Sequence, residues 1–239
     1  MPLETLLAAA LVAVYLVDSA SFLALGEAVI VTRRAALRRL ASGSALELGG
    51  RRPFLPNPLT PFWPELRIEW ATWAGPGSPA GTAAHEMRAH LHALRGVAPL
   101  AAVCALLIVV AAPLALILAV PRVFVACALL CYLCAALAGT LIVVRRRELS
   151  LPLLQALALA VVGVVCLPCS ANLARAASAR RRWLLAASEI PALGFAAAQE
   201  AEVRRELAGS LRYATRFLEE DGAESRIIGE QLALLERGA

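Results

Sequence analysis

The sequence predicts an all-α membrane fold with about four transmembrane helices, a small Pro-rich insert that contains β-strands, and a soluble helical tail. Three observations predict it. Sixty per cent of the residues are apolar and 17% are charged, against roughly 45–50% and 25% in soluble domains. The apolar residues form four runs of roughly 20 residues, the length that a helix needs to cross about 30 Å of hydrocarbon. The polar residues are concentrated between the first two runs and after the fourth.

The four runs cover residues 6–25, 97–120, 123–144 and 151–171. Because a backbone in lipid must satisfy its own hydrogen bonds, each run is expected to be a helix rather than a lone strand. Pro113 is expected to kink the second run, since proline removes a helical hydrogen bond.

These runs divide the chain into four parts. Residues 1–32 hold the first transmembrane helix, and residues 33–96 form an extramembrane insert rich in Pro and Trp. Residues 97–173 hold transmembrane helices two to four, and residues 174–239 form an amphipathic helical tail. The first run could instead be a cleaved signal peptide, but no positive charge precedes it, which favours an uncleaved helix.

The charges predict a location and an orientation. All 23 basic residues are arginine, which indicates a GC-rich bacterial genome and hence a multi-pass protein of the bacterial inner membrane. Residues 1–182 carry 17 Arg and 8 acids, and residues 183–239 carry 6 Arg and 10 acids, so the net charges are +9 and −4. Nine arginines near membrane ends lie on the side of the insert and five on the other, which places both termini outside.

The insert contains 7 of the 14 prolines. Residues 45–55 are typical of a short hairpin around Gly49-Gly50, and residues 65–70 alternate polar and apolar side chains as in a half-buried strand. The proline stretch at residues 53–64 excludes a helix and favours an extended chain. It is either a rigid connector or, less simply, a docking strip for an aromatic-lined groove.

All six cysteines lie in the apolar runs. Cys127, Cys131 and Cys134 share one helix face by their spacing. Cys166 and Cys169 form a C-x-x-C motif near the end of the fourth run. In an antiparallel pair of helices, Cys127 and Cys166 lie about 6 Å and about 7 Å from the same membrane face, at 1.5 Å per residue.

This arrangement resembles membrane thiol oxidoreductases of the disulfide-bond-forming and vitamin K epoxide reductase type. The resemblance implies a four-helix bundle, a redox role for Cys166, Cys169 and Cys127, and a bound quinone. Such proteins carry a second cysteine pair in a periplasmic loop, whereas no loop of this chain contains cysteine. The favoured account is simpler: these cysteines are small apolar residues suited to tight helix packing.

Asp18 and Tyr15 form a candidate intramembrane polar site in the first run. An ionisable group at that depth is a functional candidate, but a structural hydrogen bond or a place near the helix end is the favoured account of Asp18. The three histidines, at positions 85, 90 and 92, have the wrong spacing for a zinc-binding helix. No metal site is predicted.

The tail is expected to form two amphipathic helices. Pro191 begins the first, whose apolar stripe is Val203, Leu207, Leu211, Ala214 and Leu218. Asp221-Gly222 ends it, and a second helix carries Ile228, Leu232 and Leu235 on one face. Each stripe needs a partner surface, which is either the chain itself or another protein.

No catalytic constellation, cofactor-binding loop or nucleic-acid motif is present in the sequence. The favoured hypothesis is therefore a non-catalytic scaffold or accessory subunit of a membrane assembly, with the lipid bilayer and a protein bound by the tail as partners. Two alternatives stay open: a membrane thiol redox protein that uses the cysteine cluster, and a small-solute transporter component in which Asp18 is the site residue.

Overall fold

The computed structural model describes residues 3–24, 27–33, 36–41, 51–70, 82–185, 189–195, 197–215 and 223–237. The chain divides into two compact units. Unit 1 comprises Met1–Ser21, Leu55–Glu65 and His90–Arg181, and unit 2 comprises Phe22–Phe54, Leu66–Ala89 and Arg182–Ala239. The insert and the tail that the sequence separates thus belong largely to the same unit.

Most of the described chain is helical, with two small sheets, which confirms the helical part of the predicted fold class. The helices are α1 (Leu3–Ser19), α2 (Thr82–Ala93), α3 (Val97–Leu106), α4 (Ala112–Ile117), α5 (Pro121–Val144), α6 (Leu153–Val165), α7 (Leu167–Ser170), α8 (Leu173–Ala179), α9 (Ala197–Thr215) and α10 (Ala223–Arg237). The strands are β1 (Ser21–Ala24), β2 (Glu27–Arg33), β3 (Ala36–Ala41), β4 (Arg51–Phe54), β5 (Glu65–Trp70) and β6 (Arg182–Leu185).

Two helices among the described residues are long and apolar enough to cross a membrane, by length and composition. They are the continuous helix Ala84–Ile117 and the helix Pro121–Val144. The expectation of four such helices is therefore met by only two. The first predicted run yields a helix of 17 residues, and the fourth yields one of 13 residues, Leu153–Val165.

The first run ends earlier than the sequence indicates. Helix α1 stops at Ser19, and residues 21–24 and 27–33 lie in strands, so the assignment of residues 1–32 to one transmembrane helix is wrong. The β-branched run from Val29 to Thr32 favours the extended conformation, and this local preference prevails over helix continuation.

The second run is continuous but locally distorted. A short π-helical turn, Leu107–Ala111, separates α3 from α4. Pro113 follows it in the first turn of α4. Proline at this place cannot donate to the carbonyl four residues earlier, and a wider turn absorbs the freed group. The distortion predicted at Pro113 thus takes the form of a π-turn on its N-terminal side.

The fourth run is broken near its end. Helix α6 stops at Val165, and Cys166 adopts an extended backbone with φ −109° and ψ 92°. Pro168 has no N–H for the carbonyl of Val164, and its ring disfavours the helical path before it. The chain then turns through α7 into α8, so residues 151–171 do not form one straight helix.

In unit 2 a four-stranded sheet has the order β3–β2–β5–β6, and β1 pairs with β4 separately. Strand β2 runs antiparallel to β3, with a register shift between Val31 and Thr32. Strand β5 confirms the strand predicted at residues 65–70. Residues 51–54 of the predicted hairpin are a strand, whereas residues 45–50 lie outside the described residues. The parallel strand β6, inside the predicted helical tail, was missed.

The pairing of β5 with β6 corrects the predicted membrane topology. Arg67 is opposite Arg182, and Trp70 is opposite Leu185. Four complete crossings would place the insert and the tail on opposite sides of a bilayer, where they could not share a sheet. In unit 1, Arg181 also donates a hydrogen bond to Oγ of Ser150 over 2.8 Å. The segment from Ser150 to Arg181 therefore begins and ends at the same end of unit 1.

The apolar stripes of the tail are buried by the chain itself. Val203, Leu207 and Leu211 of α9 are at most 1% exposed, as is Ile228 of α10. Helices α9 and α10 contact each other, and Arg212 forms an ion pair with Glu236 over 3.1 Å. Leu218 and Asp221-Gly222 of the predicted pattern lie outside the described residues.

Candidate thiol and disulfide site

The C-x-x-C motif forms a disulfide at the break in the fourth run. Cys166 and Cys169 are bonded, with their Cα atoms 5.3 Å apart, and both are half-buried. Their placement follows from the broken helix. The extended backbone of Cys166 and the single turn of α7 bring the two side chains to one side of the turn. The disulfide thus closes the tip of the segment that leads from α6 into α8.

Three free cysteines form a buried cluster in the core of unit 1. Cys104 of α3 and Cys131 and Cys134 of α5 are at most 6% exposed and pack with Ala171 and Tyr15. The thiol of Cys104 donates to the carbonyl of Cys131 over 3.8 Å and also contacts the thiols of both neighbours. Two helices therefore present three reduced sulfur atoms to one small apolar region.

Ser170 connects the thiol cluster with the disulfide segment. Its Oγ lies 3.4 Å from Sγ of Cys131 and donates to the carbonyl of Leu167 over 2.6 Å. Ser170 is fully buried and follows Cys169 directly in the sequence. Ser170 therefore joins the disulfide segment to the thiol of Cys131 through a direct side-chain contact.

Of the three predicted redox residues, Cys166 and Cys169 form the disulfide. Cys127 is not the thiol that contacts their segment. The contacting thiol is that of Cys131, one turn along α5 from Cys127. The sequence estimate assumed that the fourth run continues straight to residue 171. Because the run breaks at Cys166, the segment that carries the disulfide contacts α5 at Cys131, which is one helical turn further from the start of α5 than Cys127.

The predicted polar site of Asp18 and Tyr15 belongs to a network at the end of α1. Asp18 lies in the last turn of the helix, and Nδ2 of Asn172 donates to its carboxylate over 2.8 Å. Oδ1 of Asn172 accepts from Ser19 and from Arg175, each over 3.2 Å. The Tyr15 hydroxyl donates to the carbonyl of Pro58. Asp18 is thus held by a structural hydrogen bond near a helix end.

Arg175 is the buried centre of this network. Its Nε lies 2.7 Å from Oε1 of Glu65, with both side chains at most 7% exposed. Its Nη2 donates to the carbonyls of Asn57 and Thr60 over 3.3 and 3.2 Å. Burial raises the pKa of Glu65 to about 7, although the Arg175 guanidinium lowers it in part. Both terminal nitrogens of Arg175 therefore donate hydrogen bonds inside the protein, and Nε forms the ion pair with Glu65 without a hydrogen bond of its own.

Hydrogen bonds from this network hold the proline stretch in place. The carbonyls of Asn57, Pro58 and Thr60 all accept hydrogen bonds from buried side chains of unit 1. The Glu65 N–H in turn donates to Oγ of Ser178 over 2.8 Å. A stretch bound on this side is a rigid connector, in line with the simpler of the two interpretations drawn from its sequence.

Unit 2 has its own ion pair, in which Glu27 is buried and Arg67 is 22% exposed. Arg67 donates to the Glu27 carboxylate and to the carbonyl of Phe22. Burial alone would raise the pKa of Glu27, but the Ala24 N–H and the Arg67 guanidinium lower it below its ordinary range. The pair lies between neighbouring strands β2 and β5 and stabilises their pairing.

Sequence reasoning missed Asn172, Arg175, Glu65 and Ser170. One signal was available: Asn172 and Arg175 are three apart, hence on one helix face, in a segment otherwise rich in small apolar residues. Among the described residues, no group of three or more His, Cys, Asp or Glu side chains has a geometry that could hold a metal ion.

Comparison with family models, with curated proteins and with solved structures finds no match to this chain.

Proposed function

We propose that this chain is an integral protein of the bacterial inner membrane. The support is a broad set of large apolar side chains that unit 1 leaves exposed. Leu114, Ile117, Leu129, Leu154 and Val165 are between 51% and 80% exposed. Only 33% and 39% of the most apolar stretches of the two long helices are buried. Soluble proteins rarely expose apolar patches larger than a few hundred Å², and a bilayer covers such a surface without cost.

The proposed topology has three crossings and one re-entrant segment. Helix α1, the helix Ala84–Ile117 and helix α5 would cross. The segment from Ser150 to Arg181 would enter and leave by one face, which fits the Arg181–Ser150 hydrogen bond. Irregular backbone at membrane depth is tolerated where protein surrounds it, and residues 170–175 are all buried. The insert and the tail then lie on one side and the N-terminus on the other.

For the biochemical activity, we propose thiol–disulfide exchange at Cys166–Cys169. The single observation that carries this proposal is that Ser170, which directly follows the disulfide-bonded Cys169, contacts the Cys131 thiol over 3.4 Å. A packing role accounts for buried free cysteines, but it does not account for a closed disulfide beside three reduced thiols. This contact supports the redox alternative over the scaffold hypothesis as the proposed activity.

The exchange balances without any external oxidant when the second pair is Cys104 and Cys131. The Cys131 thiolate attacks Cys169, which breaks the Cys166–Cys169 bond and forms a mixed disulfide. The Cys104 thiol then attacks Sγ of Cys131 and releases Cys169. Two electrons and two protons pass to Cys166 and Cys169, and Cys104 and Cys131 become a disulfide.

A trapping experiment tests this order. In a Cys166→Ser variant, Cys169 loses its partner, and mild oxidation should join it to Cys131. The cross-link would be identified by mass spectrometry of the digested protein. The same oxidation of a Cys166→Ser/Cys127→Ser variant should give an unchanged yield. A cross-link from Cys169 to Cys127, or none, would contradict the proposed exchange.

A second candidate is the non-catalytic scaffold or accessory subunit. It is favoured by the polar network, because Asp18 binds Asn172 and Arg175 binds Glu65, so that both side chains already have partners within the protein. The same internal binding weakens the transporter alternative, whose only site residue was Asp18. A partner of the tail would have to use its polar faces, because the stripes of α9 and α10 are buried. Co-purification that survives Cys166→Ser/Cys169→Ser but is lost on deleting residues 197–239 would support the scaffold role.

A further inference from the structure

Unit 1 gathers arginines from three separate parts of the chain at one end. Arg181 donates to Ser150, which lies three residues beyond Arg147. Arg145 donates through Nη1 to the carbonyl of Ala93 over 2.9 Å. These two hydrogen bonds join three stretches of chain. The basic surface so formed consists of Arg95, Arg145, Arg146, Arg147, Arg180 and Arg181.

This basic surface is strongly one-sided in charge. Its three stretches, residues 93–96, 145–151 and 180–181, contain six arginines and one acid, Glu148, which gives a net charge of +5. Arg95, Arg147 and Arg180 are exposed. At the opposite end of α5, the first turn of the helix carries Arg122 as its only charged residue. The count of nine arginines against five puts residues 180–182 on the side opposite the insert. With these residues on the side of the insert, the difference in arginine number between the two sides is larger than nine against five.

The basic surface lies directly beside exposed apolar side chains. Val144 precedes Arg145 and is 73% exposed, and Leu154, at the start of α6, is 80% exposed. A surface that changes from apolar to basic within a few residues matches the boundary between acyl chains and phosphates. Guanidinium groups bind phosphate through paired hydrogen bonds. A free anion or an acidic protein would not account for the apolar side chains.

We propose that this basic surface binds the phosphate groups of anionic phospholipids and marks the cytoplasmic face of the membrane. The inference rests on the proposed membrane insertion. It goes beyond that proposal by naming a lipid class and the residues that select it. Each arginine facing a headgroup is expected to strengthen the preference for anionic lipid about fivefold.

The test uses the full chain in mild detergent, incubated with equal amounts of phosphatidylglycerol and phosphatidylcholine. Native mass spectrometry then measures which lipid stays bound. The test variant is R95Q/R147Q/R180Q, which removes three exposed charges from the basic surface. The control variant R51Q/R122Q/R226Q removes three exposed arginines from other places and leaves the net charge equal to that of the test variant.

The wild type and the control should retain phosphatidylglycerol preferentially, and the test variant should lose that preference by at least about fivefold. Equal retention of both lipids by the wild type, or an equal loss in the two variants, would overturn the inference. If the chain purified as a monomer without detergent, the membrane proposal itself would fail. The two failures are thus distinguishable.

Discussion

Nε of Arg175 lies 2.7 Å from Oε1 of Glu65, and both side chains are almost completely buried. Removing one partner of such a pair leaves a charge without its acceptor in the interior, at a cost of about 3–5 kcal/mol. We expect Glu65→Ala to lower the free energy of unfolding by this amount, measured by chemical unfolding in detergent. Glu236→Ala breaks the exposed pair with Arg212 and should cost no more than about 1 kcal/mol. Equal effects would contradict a buried pair.

The pH dependence of stability should change in the Glu65→Gln variant. Because burial raises the Glu65 pKa to about 7, the folded chain holds a proton that the unfolded chain has already released above its ordinary pKa of 4.5. The stability from this group is therefore complete below pH 4.5 and is lost as pH rises to about 7. The loss amounts to about 3 kcal/mol. The amide of Gln keeps an acceptor for Arg175 and does not titrate.

The measurement is the difference in unfolding free energy between wild type and Glu65→Gln from pH 4.5 to 7.5. Other titrating groups cancel in this difference. The wild type should lose stability relative to the variant as pH rises. A difference that is flat with pH, or that grows in favour of the wild type, would refute the assigned direction.

Gly139 allows α5 and α6 to pack closely. A Cβ at this position would lie 2.9 Å from Cβ and 3.0 Å from Cα of Ala160, so one helix would have to move. Gly139→Ala should cost about 1–3 kcal/mol, as measured by thermal unfolding in detergent. Gly209→Ala is the matched control, since no atom lies within 4 Å of its added Cβ. There the better helix propensity of Ala should stabilise the chain by about 0.5–1 kcal/mol.

The re-entrant segment predicts where the C-terminus lies. Residues 65–70 and 182–185 share a sheet, and in the proposed topology the basic surface faces the cytoplasm, where arginines are enriched. A fluorescent protein fused at the C-terminus should therefore fluoresce, and an alkaline phosphatase fused there should be inactive. Four complete crossings, with both termini outside, would give the reverse pattern.

The sequence was sufficient where a strong local pattern decides the structure. The third run is one unbroken helix because nothing in residues 121–144 interrupts it. The alternation at residues 65–70 correctly gave a strand. Both features depend on neighbours in the chain alone.

The sequence was insufficient where distant residues decide. By its sequence, the Ala-rich segment around Arg175 resembles the beginning of a soluble tail. It is buried because Arg175 pairs with Glu65 and donates to the carbonyl of Thr60 in the proline stretch. Strand β6 exists because β5 offers it a partner, and a four-residue segment has no period of its own. The depth of the C-x-x-C motif depended on one proline, Pro168, whose effect on the path of the chain cannot be read from composition.

The proposed activity depends on one feature above all, the disulfide between Cys166 and Cys169 in a protein whose other four cysteines are reduced. Differential alkylation tests it most directly, on cells quenched in acid so that the pairing present in the membrane is preserved. The protein is denatured, alkylated, reduced, and alkylated with a second mass-labelled reagent. We expect only Cys166 and Cys169 to carry the second label, and Cys104, Cys127, Cys131 and Cys134 to carry the first. First-label modification of all six cysteines would contradict it.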